Sequence, residues 1–388
     1  MNLIIIIIIL VLLILYTIQS DIFKKITYIN NYTIGITNNI TINRFTTLFL
    51  KLLEKTITIK YYKTDTKLLD DLNNNIIDFG ITNENNVLES QLGLNSYKNN
   101  KLTNLRYITG LYYNYQYLLT DIIYKDSNKT EVITSIDDIK QFYKIYDRNI
   151  IIGTEDTNSE SFIGLIVLLY MYGFTPVNIN SKDSNKKYSE HTVFYANYNI
   201  DDLIHKFNKN NIDAIYLVNV YNYNKIRSIL NEKDVIFLDI TFKNTIFNDI
   251  FSNYFYNKTL TISNMDEDID STYTFETKAN RILLIGNNMT DKNIVEEVIK
   301  KYYTHNNTLI NELLENNKKD IDHNTFEPID MVYINKYIKL HEGAYKYMKS
   351  LGFIINENIK NKLEINKNDN LKHYWKYDKI GLNTFQLN

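Results

Sequence analysis

Between residues 28 and 353 the chain alternates short β-branched runs with segments whose apolar residues recur at helical spacing. "YTIGIT" at 32 to 37 reads as a strand, "FTTLFLKLLEK" at 45 to 55 as a helix with an apolar face, and "TITIKYY" at 56 to 62 as a second strand. "TKLLDDLNNN" then predicts a short helix ending on asparagine, and "IIDFGIT" at 76 to 82 a third strand. "LRYITGLYYNYQYLLTDIIYK" at 105 to 125 reads as two strands in succession. A second alternating run follows. It comprises a helix at 135 to 144, the strand "NIIIGT", and a buried helix at 160 to 174 that is apolar all round and punctuated by Gly173 and Pro176. The strand "TVFYANY", the helix "IDDLIHKFNKN" and a strand at 212 to 219 continue it, before a strand at 281 to 287 and a helix at 293 to 305. Such alternation predicts βαβ units on parallel sheets. Two α/β lobes joined through strands near 115 to 124 and 281 to 287 would form a cleft at the carboxyl ends of their strands. One continuous sheet would contradict that picture.

Ahead of this pattern stands "MNLIIIIIILVLLILYTIQS", apolar without interruption from Leu3 to Leu15. Continued weakly to Ile18, as a helix of sixteen residues it covers about 24 Å, short of the ~30 Å hydrocarbon core, so it reads as a secretory signal or a membrane anchor. The remainder is then expected outside the cytoplasm. Six sequons, at Asn31, Asn39, Asn128, Asn257, Asn288 and Asn306, fit a glycoprotein if the route is eukaryotic.

Composition narrows the chemistry. The 43 basic and 45 acidic residues leave a formal charge of −2, which argues against nucleic-acid binding. There is no cysteine, and therefore no disulfide, thiolate zinc site or cysteine nucleophile. The 33 tyrosines, 2 prolines and 11 glycines follow an A/T-rich codon bias. "HEGAY" at 341 to 345 lacks the second histidine of a zinc-protease helix, so His341 reads as a packing residue. "DEDID" at 266 to 270 lacks the glycine and distal glutamate of a calcium loop and reads as a solvated turn. No nucleophile elbow, phosphate loop or dinucleotide fingerprint is present, so no enzyme, cofactor or metal is predicted.

"EPIDMVYINKYIKLHEGAYKYMKSLGF" at 327 to 353 resembles the closing segment of TAXI-type solute receptors of TRAP transporters. It carries His341, Gly343, Ala344, Tyr345, Tyr347 and Gly352 in order, with Glu342 where that family has proline. "LLDDLNNNIIDFGIT", the 105 to 140 region, "IIIGTEDTNSES" and "LIHKFNKNNIDAIYLVN" match further family segments in register. The resemblance implies a two-lobed type II periplasmic-binding-protein fold with a hinge, closing on a small solute that is passed to a membrane permease. The corresponding division is 1–20 as signal or anchor, 27–115 with 281–355 as one lobe, 116–280 as the other, and 356–388 as a polar tail.

The loops depart from that family. Its Gly-Ser-Gly loop becomes Asp156, Thr157 and Asn158, between Glu155 and Glu160. Carboxylates there are expected to occupy the helix N-terminal amides themselves, as caps, and to repel an anion. The polar residues placed toward the cleft are Thr37, Asn38, Thr64, Asp65, Thr66, Asn83, Thr157, Asn158, Ser159 and Asn219. They suit a neutral or cationic polar ligand. The alternative is a vestigial binding fold kept as a membrane-anchored surface or interaction protein.

Overall fold

A computed structural model of the chain describes residues 32–37, 44–53, 57–98, 100–121, 123–125, 130–157, 159–183, 186–218, 229, 235–240, 256–264, 271–316 and 338–350. The expected N-terminal hydrophobic helix, the acidic turn at 266 to 270 and the polar tail lie outside these residues. The chain divides into two compact units, passing between them at Leu111/Tyr112 and at Arg281/Ile282.

Unit 1 is built from β1 (Tyr32–Thr37), α1 (Arg44–Leu53), β2 (Ile57–Tyr62), α2 (Asp65–Asn73), β3 (Phe79–Asn83) and α3 (Glu84–Leu92). The first part of β4 (Leu105–Thr120) follows. Unit 2 takes the rest of β4, then β5 (Ile123–Lys125), β6 (Thr130–Val132), α4 (Ile139–Tyr146), β7 (Ile151–Thr154), α5 (Glu160–Met171) and β8 (Thr175–Asn178). β9 (Thr192–Asn197), α6 (Ile200–Asn208), β10 (Ala214–Val218), β11 (Ile236–Phe237), β12 (Tyr256–Asn264) and most of β13 (Ser271–Asn287) complete it. The end of β13, α7 (Lys292–Asn316) as far as Leu313, and α8 (Glu342–Ser350) return to unit 1.

In unit 1 the strand order is β2-β1-β3-β13, with β1 parallel to both neighbours and β13 antiparallel to β3. In unit 2 it is β4-β10-β7-β9-β8, parallel from β10 onward, with β4 antiparallel to β10. β4 and β13 each run through both units. The stretch read as two strands in succession, 105 to 125, holds β4 and the separate short β5. One sequence expectation needs correction. The all-apolar helix α5 is not buried all round: Ile163 and Tyr170 are 41% and 42% exposed.

Each unit sets its last parallel strand, β3 or β10, beside its first, β1 or β7, by the same device. Ahead of β3, the Asp78 carboxylate accepts from the Thr33 amide at 2.7 Å while the Asp78 amide donates to the Thr33 carbonyl at 3.1 Å. Ahead of β10, the Asp213 carboxylate accepts from the Ile151 amide at 2.9 Å, and the Asp213 amide donates to the Ile151 carbonyl at 2.9 Å. The preceding helix ends, in both cases, on a left-handed asparagine, Asn75 at φ 57° and Asn210 at φ 57°, a conformation asparagine tolerates. A buried isoleucine stands two residues further on in both. Ile77 and Ile212 press so closely on Gly35 and Gly153 that a Cβ at either glycine would collide with them. Arg148 reinforces the second copy, donating to both carboxylate oxygens of Asp213 at 2.7 and 2.6 Å from above the Phe142 ring.

His341 holds the start of α8. Its Nδ1 accepts from the Gly343 amide at 3.1 Å and its Nε2 lies 3.1 Å from the Thr290 carbonyl, so the ring that satisfies both is neutral with the proton on Nε2. Burial pushes its pKa down. Gly343 is required there, because a Cβ would run into the Lys292 carbonyl.

Two outcomes follow. Asp213→Ala removes three hydrogen bonds. With Arg148 half exposed, we expect a loss of about 2 kcal/mol in urea unfolding; a loss below about 0.5 kcal/mol would mean that β10 is placed by other means. His341, depressed below its unfolded value of about 6.5, contributes fully above that pH and progressively less as the pH falls toward its folded pKa. Urea titrations on either side should show this slope diminished in His341→Gln, and an unchanged slope would contradict the assignment.

Candidate functional site

The parallel strands of unit 1 end at Thr37, Tyr62 and Asn83. Register pairs Thr37 with Tyr62 and Ile36 with Ile81, so the next step sets Thr37 beside Thr82. Strand alternation puts Thr37 and Thr82 on the same face as Gly35 and Gly80, which α2 covers through Leu68. Asp65, the first residue of α2, meets this row: the Thr82 hydroxyl donates to its Oδ1 at 2.5 Å. Burial raises the pKa of Asp65, and the bond from Thr82 opposes that rise. Thr37 is 3% exposed, and its hydroxyl has no partner among the described residues. Such a group costs about 1–3 kcal/mol when left unsatisfied, which marks the position as one for a further polar atom. Thr64 and Asn83 are committed to the helices: Thr64 accepts from the Lys67 amide at 3.3 Å and Asn83 from the Asn85 amide at 3.1 Å. Thr66 is half-buried in the first turn of α2.

In unit 2 the strands β7, β9 and β10 end at Thr154, Asn197 and Val218. Thr154 and Asn197 are register partners, and Thr154 Oγ1 and Asn197 Oδ1 are both buried without partners among the described residues. Asn197 uses its Nδ2 to donate to the Glu155 carbonyl at 2.8 Å. The loop does not place its acids as expected. Ser159 is the N-cap of α5, its hydroxyl accepting from the Phe162 amide at 3.0 Å. The Glu155 carboxylate takes the hydroxyl of Ser161, which in turn accepts from the Val218 amide at 2.9 Å and so ties the loop to the end of β10. A serine cap serves because its short side chain reaches the amide from the loop, whereas Glu155 lies farther back and finds the hydroxyl inside the helix. Asn114 donates to Glu160 at 3.4 Å, and Thr157 is exposed.

Of the ten positions singled out in the sequence, Thr37, Thr64, Asp65, Thr66 and Asn83 thus gather at one edge of unit 1. Thr157 and Ser159 lie on the α5 loop of unit 2. Asn38, Asn158 and Asn219 fall outside the described residues. Sequence reasoning missed Thr82, Thr154, Ser161 and Asn197. For the first two a signal existed: each follows a strand glycine closely, Gly80 and Gly153. Among the described residues no group of histidine, aspartate and glutamate side chains could hold a metal ion, and no helix is long and apolar enough to cross a membrane.

Ser161 is fully buried, so Ser161→Ala strands the Val218 amide and should cost about 1–3 kcal/mol in chemical denaturation. Glu155→Gln, which keeps an acceptor for the hydroxyl, should cost less. Equal losses would contradict this wiring.

No curated protein matches this sequence. Among solved structures, the periplasmic aliphatic sulphonate binding protein SsuA from Escherichia coli is similar at TM-score 0.37 and 11% identity, over 85% of this chain and 96% of that one. XAC2383 from Xanthomonas citri bound to ATP gives a TM-score of 0.41 at 9% identity, over 84% and 100%. The second substrate binding domain of GlnP from Lactococcus lactis gives 0.36 at 9%, over 72% and 90%. The sequence itself matches the NMT1-like family over residues 51–352, which is most of the chain and both α/β units. The chain belongs to the NMT1-like family, and both of its compact units are α/β.

Proposed function

We propose that this chain is an extracytoplasmic solute-binding protein that holds a small polar ligand at the carboxyl ends of its parallel strands. The observation that carries the reading is that both units end those strands in a buried threonine hydroxyl, Thr37 and Thr154, for which the described residues supply no partner. Packing alone favours valine at such positions, because a buried hydroxyl without a hydrogen bond is destabilising. Membership of the NMT1-like family supports the same reading. The contacts we assign are Thr37, Asp65, Thr66 and Asn83 in unit 1 and Thr157 and Ser159 in unit 2. Thr64, with Asn38, Asn158 and Asn219, belongs to the same proposed set.

Finer features also belong to the proposal. The chain would be a TAXI-like receptor working with a membrane permease, with residues 1–20 as its signal peptide or anchor. β4 and β13, the strands common to both units, would serve as the hinge. Asn288, exposed in the turn after β13, would be open to a glycan.

One observation favours a second reading. The loop of unit 2 satisfies itself through Ser161, Glu155 and the Val218 amide, as it would in a fold kept as a surface or interaction protein. Thermal melting of the full chain against a panel of amino acids and small organic acids separates the two. A ligand present at a hundred times its Kd stabilises by about 2.7 kcal/mol. A shift with at least one compound class is the expected result, and no shift across the panel would leave only the second reading.

A further inference from the structure

We infer that the ligand carries a positively charged nitrogen, an ammonium or guanidinium group, and that Asp65 is its seat, flanked by the Thr37 and Thr82 hydroxyls at the carboxyl ends of β1 and β3. This deepens the solute-binding reading and rests on it.

Two other buried acids of the chain, Asp71 and Asp213, have cationic partners. Asp71, six positions further along α2, is neutralised by Lys60 at 2.9 Å and Lys67 at 2.7 Å, and it accepts from the Tyr62 hydroxyl at 2.8 Å. These partners hold its pKa down to about 2. Asp213 has Arg148. Asp65 has no such partner: no lysine, arginine or histidine of the described residues pairs with it, and the contact it makes to another side chain is the hydroxyl of Thr82. A carboxylate at the first position of a helix is ordinary, since the helix dipole favours it. The dipole does not account for the rest of the arrangement. Thr37 lies on the neighbouring strand, on the face that α2 covers, one register step past Ile36 and Ile81, and its buried hydroxyl is unpartnered among the described residues.

The three side chains offer complementary chemistry. Asp65 retains Oδ2, Thr82 retains its lone pairs after donating to Oδ1, and Thr37 offers a whole hydroxyl. Such a set is rich in acceptors and negatively charged. An ammonium, with three donors and a positive charge, satisfies it, whereas a ligand carboxylate would meet Asp65 at close range.

The test uses the purified full chain and three probe classes of matched size: putrescine and agmatine as cations, 1,4-butanediol as the neutral compound, and succinate as the anion. Thermal shift and titration calorimetry on wild type, Asp65→Asn and Asp70→Asn give the readout. We expect the cations to bind wild type and Asp70→Asn, and to bind Asp65→Asn at least about tenfold more weakly. Thr37→Val, which keeps the shape and removes the hydroxyl, should also weaken them, and it decides the matter if Asp65→Asn fails to give a native circular dichroism spectrum. Binding of succinate or butanediol that is indifferent to Asp65 and Thr37 would overturn the inference and leave the solute-binding reading standing. Cation binding unaffected by either substitution would overturn the assigned seat. No binding by any class in any variant would overturn both.

Discussion

An aspartate just ahead of a unit's last parallel strand, accepting the amide near the start of its first, is the contact on which the rest of this structure depends. Asp78 does this for unit 1 and Asp213 for unit 2. Because strands pair in only one register once a backbone amide and carbonyl are both fixed at one end, each aspartate sets the register of one strand pair, β3 on β1 or β10 on β7. The left-handed asparagine and the buried isoleucine before it deliver the chain to that point, and the glycine of the central strand leaves room for the isoleucine. Polar residues beyond the strands then fall together without any contact between them in sequence.

Much of this architecture was legible from the pattern of side chains. β-branched runs and amphipathic segments marked the parallel strands and the helices α1, α2, α5 and α6, because each buries one face and the period shows which. The long strands were harder. The early part of β13, "STYTFETKAN", mixes polar and apolar residues, yet Thr277, Lys278 and Asn280 are buried, so the outward and inward faces carry similar chemistry. α3 was missed for a related reason: "ENNVLESQL" buries Glu84, Ser90 and Gln91 alongside its aliphatic residues, which blurs the apolar face.

The candidate site was legible by position and not by wiring. Thr37 ends a strand and Asp65 opens a helix, which is visible in the sequence. That Thr37 lacks a partner, while Thr64, Asn83 and Ser159 are taken up as caps, depends on atoms fixed only in the fold. The acids of the 155 to 160 loop illustrate the same limit. Their proximity to a helix N-terminus suggested capping, but the nearer serine won that role and Glu155 became the anchor for Ser161. Both units therefore keep their strand ends polar, and each does so with a different mixture of satisfied and unsatisfied groups.

If these strand ends hold a solute, the protein isolated under mild conditions from the cells that make it should carry that solute with it. Native mass spectrometry reads this directly. A bound species of small mass that dissociates on activation and contains a basic nitrogen is the expected result. A chain that runs at its bare mass under the gentlest conditions, and stays so after incubation with an extract of small metabolites, would contradict the claim that this fold is a working receptor.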